Sequence, residues 1–363
     1  MQPVAAQPPP QRPGPAALTG GAMRAARPGA GWARPATTLV LLVSLAGCAA
    51  WLPPPMTAAL QAGPADASVP QAVVELRHVP FVPLTDAAQV RHCGPQALAS
   101  SLQAAGLPGD VQALARAVYL PARGGSLQIE MLAAARRAGA LAVRTAPTLQ
   151  GLMAELDAGH PVLVLQNLGL NWLPRWLTGG LATWHYAVLI GYDRGRREFI
   201  LHSGDQAGQR LAWSTFEYTW ARSAYWGAVL LAPGELPATS AREQVVQAAL
   251  DFERSAPPAA QVTVWRSVLA RWPDELLATL GLAGGLQADA RPGEAAALLQ
   301  ARAPALDSAV AWNNLAQLQM DLGRWAEARS AVERALDLAR RREPRWLAEI
   351  EATAATLAER TPH

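Results

Sequence analysis

Cys93 stands in the segment Gln89-Val90-Arg91-His92-Cys93-Gly94-Pro95-Gln96-Ala97-Leu98-Ala99. A cysteine that attacks a carbonyl needs thiolate character, a base that can later protonate the leaving amine, and a donor for the oxyanion. The pattern predicts a helix from Gly94 to about Ala105, stopped by Gly106 with Pro108 beyond. At its start, Cys93 would meet unpaired N–H groups and the positive end of the helix dipole, and both favour a thiolate. Gly94 would let a substrate approach the backbone, and Pro95 fits the first helical turn. A buried structural cysteine can occupy the same place. His185 opens the apolar strand His185-Tyr186-Ala187-Val188-Leu189-Ile190-Gly191-Tyr192, whose other members have no polar task, and Trp184 before it could shield a thiol–imidazole pair from water. The plainer reading of His185 is a satisfied histidine at a strand end. Cys48 and Cys93 are the two cysteines of the chain, so one disulfide at most is possible.

Cys-Gly-Pro-x-Ala-Leu-Ala at a helix start, then His-Tyr-Ala-Val-Leu-Ile-Gly-Tyr about ninety residues later, resembles the bacteriocin-leader-processing (double-glycine peptidase-like) family of papain-like cysteine peptidases. The likeness covers about residues 75–230. It implies Cys93 as nucleophile, His185 as general base and acid, and hydrolysis of a peptide bond, with transfer of the same acyl-enzyme to another acceptor also open. Two departures stand out. The family places an Asp-Pro pair where the return strand comes back opposite the histidine, and here that place reads His202-Ser203-Gly204-Asp205. With Arg194 and Gly195 as the central pair of the hairpin, Gly204 falls opposite His185, and a one-residue shift aligns Ser203 or Asp205. Asp205 is the expected third member, because a carboxylate both orients an imidazole and stabilises its charged form; Ser203 is the alternative. Asp193 lies eight residues up the strand, roughly 26 Å away at 3.3 Å per residue, and is excluded. The family's oxyanion glutamine precedes the cysteine by five or six positions. The nearest here is Gln89, four before, which is read as the oxyanion donor beside the Cys93 N–H or else as a solvated loop residue. The missing Asp-Pro pair also admits an inactive peptide-binding or scaffold protein.

Residues 36–47 form an apolar run too short to span a bilayer but suited to a signal-peptide core, with arginines ahead of it. Leu45-Ala46-Gly47-Cys48 resembles the bacterial lipobox, which implies a diacylglyceryl group on Cys48 and cleavage before it. Residues 1–47 are thus expected to be a lipoprotein signal peptide. Within it, Met23 is a plausible alternative start that would leave residues 1–22 untranslated. Ala49 after the cysteine implies, by likeness to known sorting rules, the periplasmic face of the outer membrane of a Gram-negative cell envelope rather than the inner membrane. Residues 48–72 read as the lipidated cysteine and a Pro/Ala-rich tether.

A unit over 73–236 opens with short apolar segments at 72–76 and 79–83, then places helices (Val111–Tyr119, Leu127–Ala138 and Leu149–Ala158 after that of Cys93) and later strands (161–166, 185–192, 198–203, 226–231), which reads as α+β. Residues 240–360 are Ala/Leu/Arg-rich and helical. Trp312, Leu315, Ala316, Ala328, Val332 and Ala335 fall at the spacing of a tetratricopeptide repeat with Gly323 in its turn, and Leu282, Ala283, Ala295 and Leu299 echo them 33 residues earlier, with Gly293 near the equivalent turn. A helix pair at about 242–272 would complete the array, giving a surface for a protein partner.

The chain has 363 residues, 51% of them hydrophobic and 16% charged, enough for two cored domains. Its net charge of +3 includes Arg12, Arg24, Arg27 and Arg34 ahead of Cys48, and their removal leaves −1. Nothing in that balance suits nucleic acid. No ligand spacing suggests a metal, and no Gly-rich phosphate loop is present, so no cofactor is expected and ATP is not coupled within this chain.

Overall fold

The apolar runs of residues 141–231 pair into one antiparallel sheet. The computed structural model describes residues 54–62, 72–83, 92–169 and 184–360. The chain divides into units at 1–52 and 53–363, and the described residues belong to the second. Residues 1–47, expected to be a signal peptide, and Cys48 and Gln89 lie outside the described residues.

The strands are β1 (Val73–Glu75), β4 (Leu141–Arg144), β5 (Val162–Asn167), β6 (Trp184–Asp193), β7 (Glu198–Ser203), β8 (Gln206–Ala212) and β9 (Gly227–Leu231). Their order is β4-β9-β5-β6-β7-β8. β5 flanks β6 from Trp184 to Leu189, and β1 takes up the same flank from Gly191 to Asp193. Gly191 is needed there, since a Cβ would run into the Val74 carbonyl. A small separate hairpin joins β2 (Tyr119–Leu120) to β3 (Gly125–Ser126).

Side chains alternate across the sheet, and both faces are covered. Leu163, Leu165, Tyr186, Val188 and Ile190 face the layer of α2 (Cys93–Ala104), α3 (Val111–Val118) and α4 (Gln128–Arg137). Val162, Val164, Ala187 and Leu189 face α5 (Leu149–Asp157) and α6 (Trp213–Ala221). Burial on both sides explains why β5 is an unbroken apolar run rather than an alternating one. The four helices expected ahead of the strands form within a residue or two of the expected bounds. β8 and α6 were not anticipated: Gln206–Ala212 is a polar, half-exposed edge strand without a clear alternation.

After the sheet come α7 (Arg242–Glu253), α8 (Pro258–Arg271), α9 (Leu276–Ala288), α10 (Pro292–Leu306), α11 (Ala309–Asp321), α12 (Trp325–Arg341) and α13 (Leu347–Arg360). The expected 242–272 pair is therefore present as α7 and α8. Gly323 adopts φ +70° in the α11–α12 turn. The equivalent turn 33 residues earlier is carried by Ala290, with φ +57°, and not by Gly293, which lies in the first turn of α10. The sheet and the helical array are also less separate than the expected 73–236 and 240–360 division suggests. One core runs from Val162, Leu189 and Phe216 through Val245 and Trp265 to Leu315 and Val332. Their junction is held by Glu155 of α5, fully buried, which accepts from the main-chain N–H of Ala238 and Thr239 and from the Thr239 hydroxyl, each at 2.9 Å. His160 Nδ1 lies 3.0 Å from the same carboxylate.

Part of the expected 48–72 tether is a docked helix. α1 (Pro55–Ala62) packs on α6. Its N-terminus is satisfied by a remote carboxylate: buried Glu217 of α6 accepts from the N–H of Met56 (2.9 Å) and from the N–H and hydroxyl of Thr57 (2.6 Å each). The first N–H groups of a helix lack intrahelical partners and carry its positive dipole end, so an anion suits them.

Candidate active site

Cys93 is the first residue of α2, as expected, and no side chain caps that helix. The residue after it is also tightly placed. A Cβ on Gly94 would lie 2.8 Å from Ser126 Oγ and 3.1 Å from Ser126 Cβ, so the glycine makes room for the β2–β3 hairpin to close against the helix start. Tyr186 ties the same hairpin to the sheet, its hydroxyl donating to the Ser126 carbonyl at 3.2 Å. The Tyr186 ring stands edge-on to Trp226 at 5.7 Å between centroids.

The thiol lies beside the strand that carries His185. Burial pushes it above the ordinary cysteine value, and main-chain hydrogen bonds from Tyr186, Gly94 and Cys93 itself offset only part of that rise. The helix start therefore does supply donors, but desolvation wins, and the resting group is a thiol rather than a thiolate. The Tyr186 hydroxyl is pushed well above the ordinary tyrosine value by its own burial and by the neighbouring Cys93.

His185 lies on β6 opposite Gln166 of β5. Burial lowers its affinity for a proton, so it is neutral at pH 7. Its Nε2 lies 2.9 Å from Ser203 Oγ. Asp205, the expected partner, is instead exposed in the turn between β7 and β8. The early end of β7 explains the difference, since the register alone would carry Asp205 opposite His185, but β7 stops at Ser203, and Gly204 and Asp205 form the turn to β8. The hairpin turn holds four residues, Arg194–Arg197, so Asp193 pairs with Glu198, and a bulge between Leu189 and Gly191 then brings Val188 opposite His202. Ser203, next after His202, projects to the same face as Ala187 and His185, while the chain turns back at Gly204, with Ser203 pairing Gln206.

A shallow cleft opens beside Cys93 and is lined by Phe81, Gln96, Tyr186, Val188, His202 and Ser203. Ser203 thus borders the cleft that holds the thiol and also binds the imidazole. Among the described residues no hydrogen bond joins the Cys93 thiol to the His185 imidazole; His185 shares its face of β6 with Ala187 and Leu189, whereas Cys93 packs on the face of Tyr186 and Val188. Gln166, buried on the far side of His185, donates to Thr219 Oγ1 at 2.7 Å and was not singled out in the sequence, although a glutamine closing a buried Val-Leu-Val-Leu run is itself a signal. His202 also lines this cleft: its Nε2 lies 3.2 Å from the Val79 carbonyl, its Nδ1 accepts from Gly208 N–H, and its ring meets Phe81.

A tetratricopeptide-repeat family model matches residues 309–342, which are α11 and α12. Among solved structures, a chain named as a C39-like peptidase from Bacillus anthracis is similar at 20% identity, with a TM-score of 0.35, over 44% of this chain and 97% of its own. No curated protein matches the chain. The chain is thus a mixed helix-and-antiparallel-sheet protein with a repeat-type helical tail. Among the described residues, no helix is long and apolar enough to cross a membrane.

Proposed function

We propose that this chain is a membrane-anchored cysteine peptidase in which Cys93 is the nucleophile, His185 the general base and acid, and Ser203 the residue that orients the imidazole. The observation that carries the reading is the 2.9 Å contact of His185 with Ser203 at the rim of the cleft that holds Cys93. With Nε2–H donating to Ser203 Oγ, Nδ1 keeps its lone pair for the thiol proton. Because the resting pair is neutral, the proton moves as the sulfur attacks. Cys93 Sγ bonds to the scissile carbonyl carbon, His185 takes the thiol proton, and the oxyanion is met by the Cys93 N–H and by Gln89. Collapse breaks the C–N bond, and His185 returns the proton to the leaving amine. Water, deprotonated by His185, then cleaves the thioester and restores the thiol. Transfer to an acceptor other than water follows the same course.

The membrane attachment rests on the lipobox ending at Cys48, placed at the periplasmic face of the outer membrane, with the helical array of residues 240–360 as the surface for a protein partner. Labelling by a peptide-like electrophile, wild type against His185→Ala and Cys93→Ala, tests the chemistry. Loss in both variants is expected. Equal labelling of wild type and His185→Ala would refute the assigned base.

A second reading, a peptide-binding protein that does not cut, is favoured by two features. A hydroxyl stands where the resembled family has a carboxylate, and the thiol is held protonated by burial. Peptide binding retained by Cys93→Ala, with no turnover by wild type, would select it.

A further inference from the structure

Cys93, Gln96, Ala97 and Ser100 follow one another at steps of three, one and three residues along α2, so they share one face of the helix, and all four line the cleft. Phe81, Val82 and Val188 add apolar surface, and among the described residues no Asp, Glu, Lys or Arg borders it. Apart from the thiol, the polar side chains of the lining are engaged with the protein, with one exception. Ser100 Oγ donates to the Pro80 carbonyl, the Tyr186 hydroxyl donates to the Ser126 carbonyl, and Ser203 Oγ meets His185. His202 donates from Nε2 to the Val79 carbonyl and accepts at Nδ1 from the Gly208 N–H, which fixes it as an uncharged tautomer. Gln96 is the exception. It is only 5% exposed, yet among the described residues no hydrogen bond reaches its side-chain amide.

A buried carboxamide without a partner is costly, and such a group in a folded protein calls for a reason. The cleft supplies one. Gln96 stands one turn after Cys93, about 4.5 Å further along the helix axis, and helical side chains lean back toward the helix start. Its donor and acceptor are therefore held next to the sulfur. Another amide satisfies both at once, because it offers an acceptor and a donor in one plane. A charged group would lose its water in this neutral, largely apolar cleft, and an apolar group would leave Gln96 unpaired. We propose that Gln96 is a substrate-binding residue whose carboxamide pairs with an amide group of the polypeptide that Cys93 attacks; the proposal rests on the reading of Cys93 as a peptidase nucleophile. That amide is a main-chain peptide group or the side chain of an Asn or Gln beside the scissile bond.

Peptidyl electrophiles test this on the full-length protein, with labelling of Cys93 read by intact mass. The compounds carry Asn, Leu or Asp at the residue whose carbonyl is attacked, and a fourth is the Leu compound N-methylated at that residue. Wild type is compared with Gln96→Met, which keeps the length of the side chain. Loss of the amide is expected to slow the preferred compound about tenfold, with Asp the slowest in wild type. Alkylation by iodoacetamide at high pH should stay unchanged, as a check that the fold around the thiol is intact. An advantage of Asn over Leu that Gln96→Met abolishes assigns a side-chain carboxamide, and a penalty for N-methylation that it abolishes assigns the main chain. A variant that slows every compound alike, or a wild type that ranks none above another, overturns the role of Gln96 and leaves the peptidase standing. Binding of the unreactive parent peptides to Cys93→Ala, with and without Gln96→Met, separates the two readings. Binding that depends on Gln96, without labelling of wild type, overturns the peptidase and keeps the amide site; neither labelling nor binding overturns both.

Discussion

His185 Nε2 and Ser203 Oγ meet at 2.9 Å across the β6–β7 pair, a diagonal contact made possible by the one-residue bulge at Ile190. A hydrogen bond that orients a catalytic imidazole is worth about 1–1.5 kcal/mol, or roughly tenfold in rate. Ser203→Ala is expected to lower the electrophile-labelling rate of Cys93 by about that factor. Ser203→Asp is expected to raise it, since a carboxylate stabilises the imidazolium formed during attack. Asp205→Ala should leave the rate unchanged. Stopped assays on the three variants check the ranking.

Thiol reactivity should separate by reagent. Burial holds Cys93 above the ordinary cysteine value, so iodoacetamide, which needs a thiolate, is expected to react slowly at neutral pH and to accelerate only above the range of a free cysteine. A peptide-like electrophile placed against His185 should react at neutral pH. Mass spectrometry across a pH series reads both. Fast alkylation by iodoacetamide well below pH 8 would show that an ion pair, not a neutral pair, is the resting state.

The sequence carried the main geometry because its signals were local. Cys93 followed by Gly94 and Pro95 marks a helix start, and the unbroken run 162–165 marks a strand covered on both faces. What it missed is set by tertiary choices. The turn at Arg194–Arg197 takes four residues where two were assumed and the bulge shifts the pairing back by one, which by itself would set Asp205 opposite His185; the choice fell to Ser203 because β7 ends there and Gly204 and Asp205 turn into β8. The direction of the Cys93 shift also depends on how far the β2–β3 hairpin and Tyr186 seal the helix start, which spacing alone does not reveal. Glu217 and Glu155 read as ordinary helical glutamates, and their burial follows from partners 160 and 84 residues away.

Gly94→Ala should destabilise the protein by about 1–3 kcal/mol, the range for overpacking a tight site. Ser126→Gly in the same chain should recover most of that loss, since both close atoms belong to Ser126. Denaturant midpoints of the two single variants and the double variant give the coupling, and additive losses would show that the clash lies elsewhere.

Glu155→Ala strips the junction of its acceptor and leaves the N–H groups of Ala238 and Thr239 buried without partners. A loss of about 3 kcal/mol is expected. Earlier cleavage near Leu236 under limited proteolysis would mark the same break.

Acid should unfold the protein progressively. Burial lowers the proton affinity of both His185 and His202, so the unfolded chain binds more protons than the folded one once pH falls below the ordinary histidine value, and stability declines from there. Glu155 adds a second fall at lower pH: burial opposes its charge, but bonds from His160, Ala238 and Thr239 outweigh it and hold the carboxyl below its ordinary value. Thermal midpoints across pH should show the first decline reduced in His185→Ala and the second in Glu155→Gln.

Thr57 and Glu217 are separated by 160 residues, yet they share a 2.6 Å hydrogen bond. A chain made or exported from its N-terminus presents Thr57 long before Glu217 exists to receive it. Closing so long a loop becomes favourable only once the intervening strands and helices have collapsed. The leading segment therefore stays long and accessible while the rest is incomplete, and it is reeled in as one of the last events of maturation.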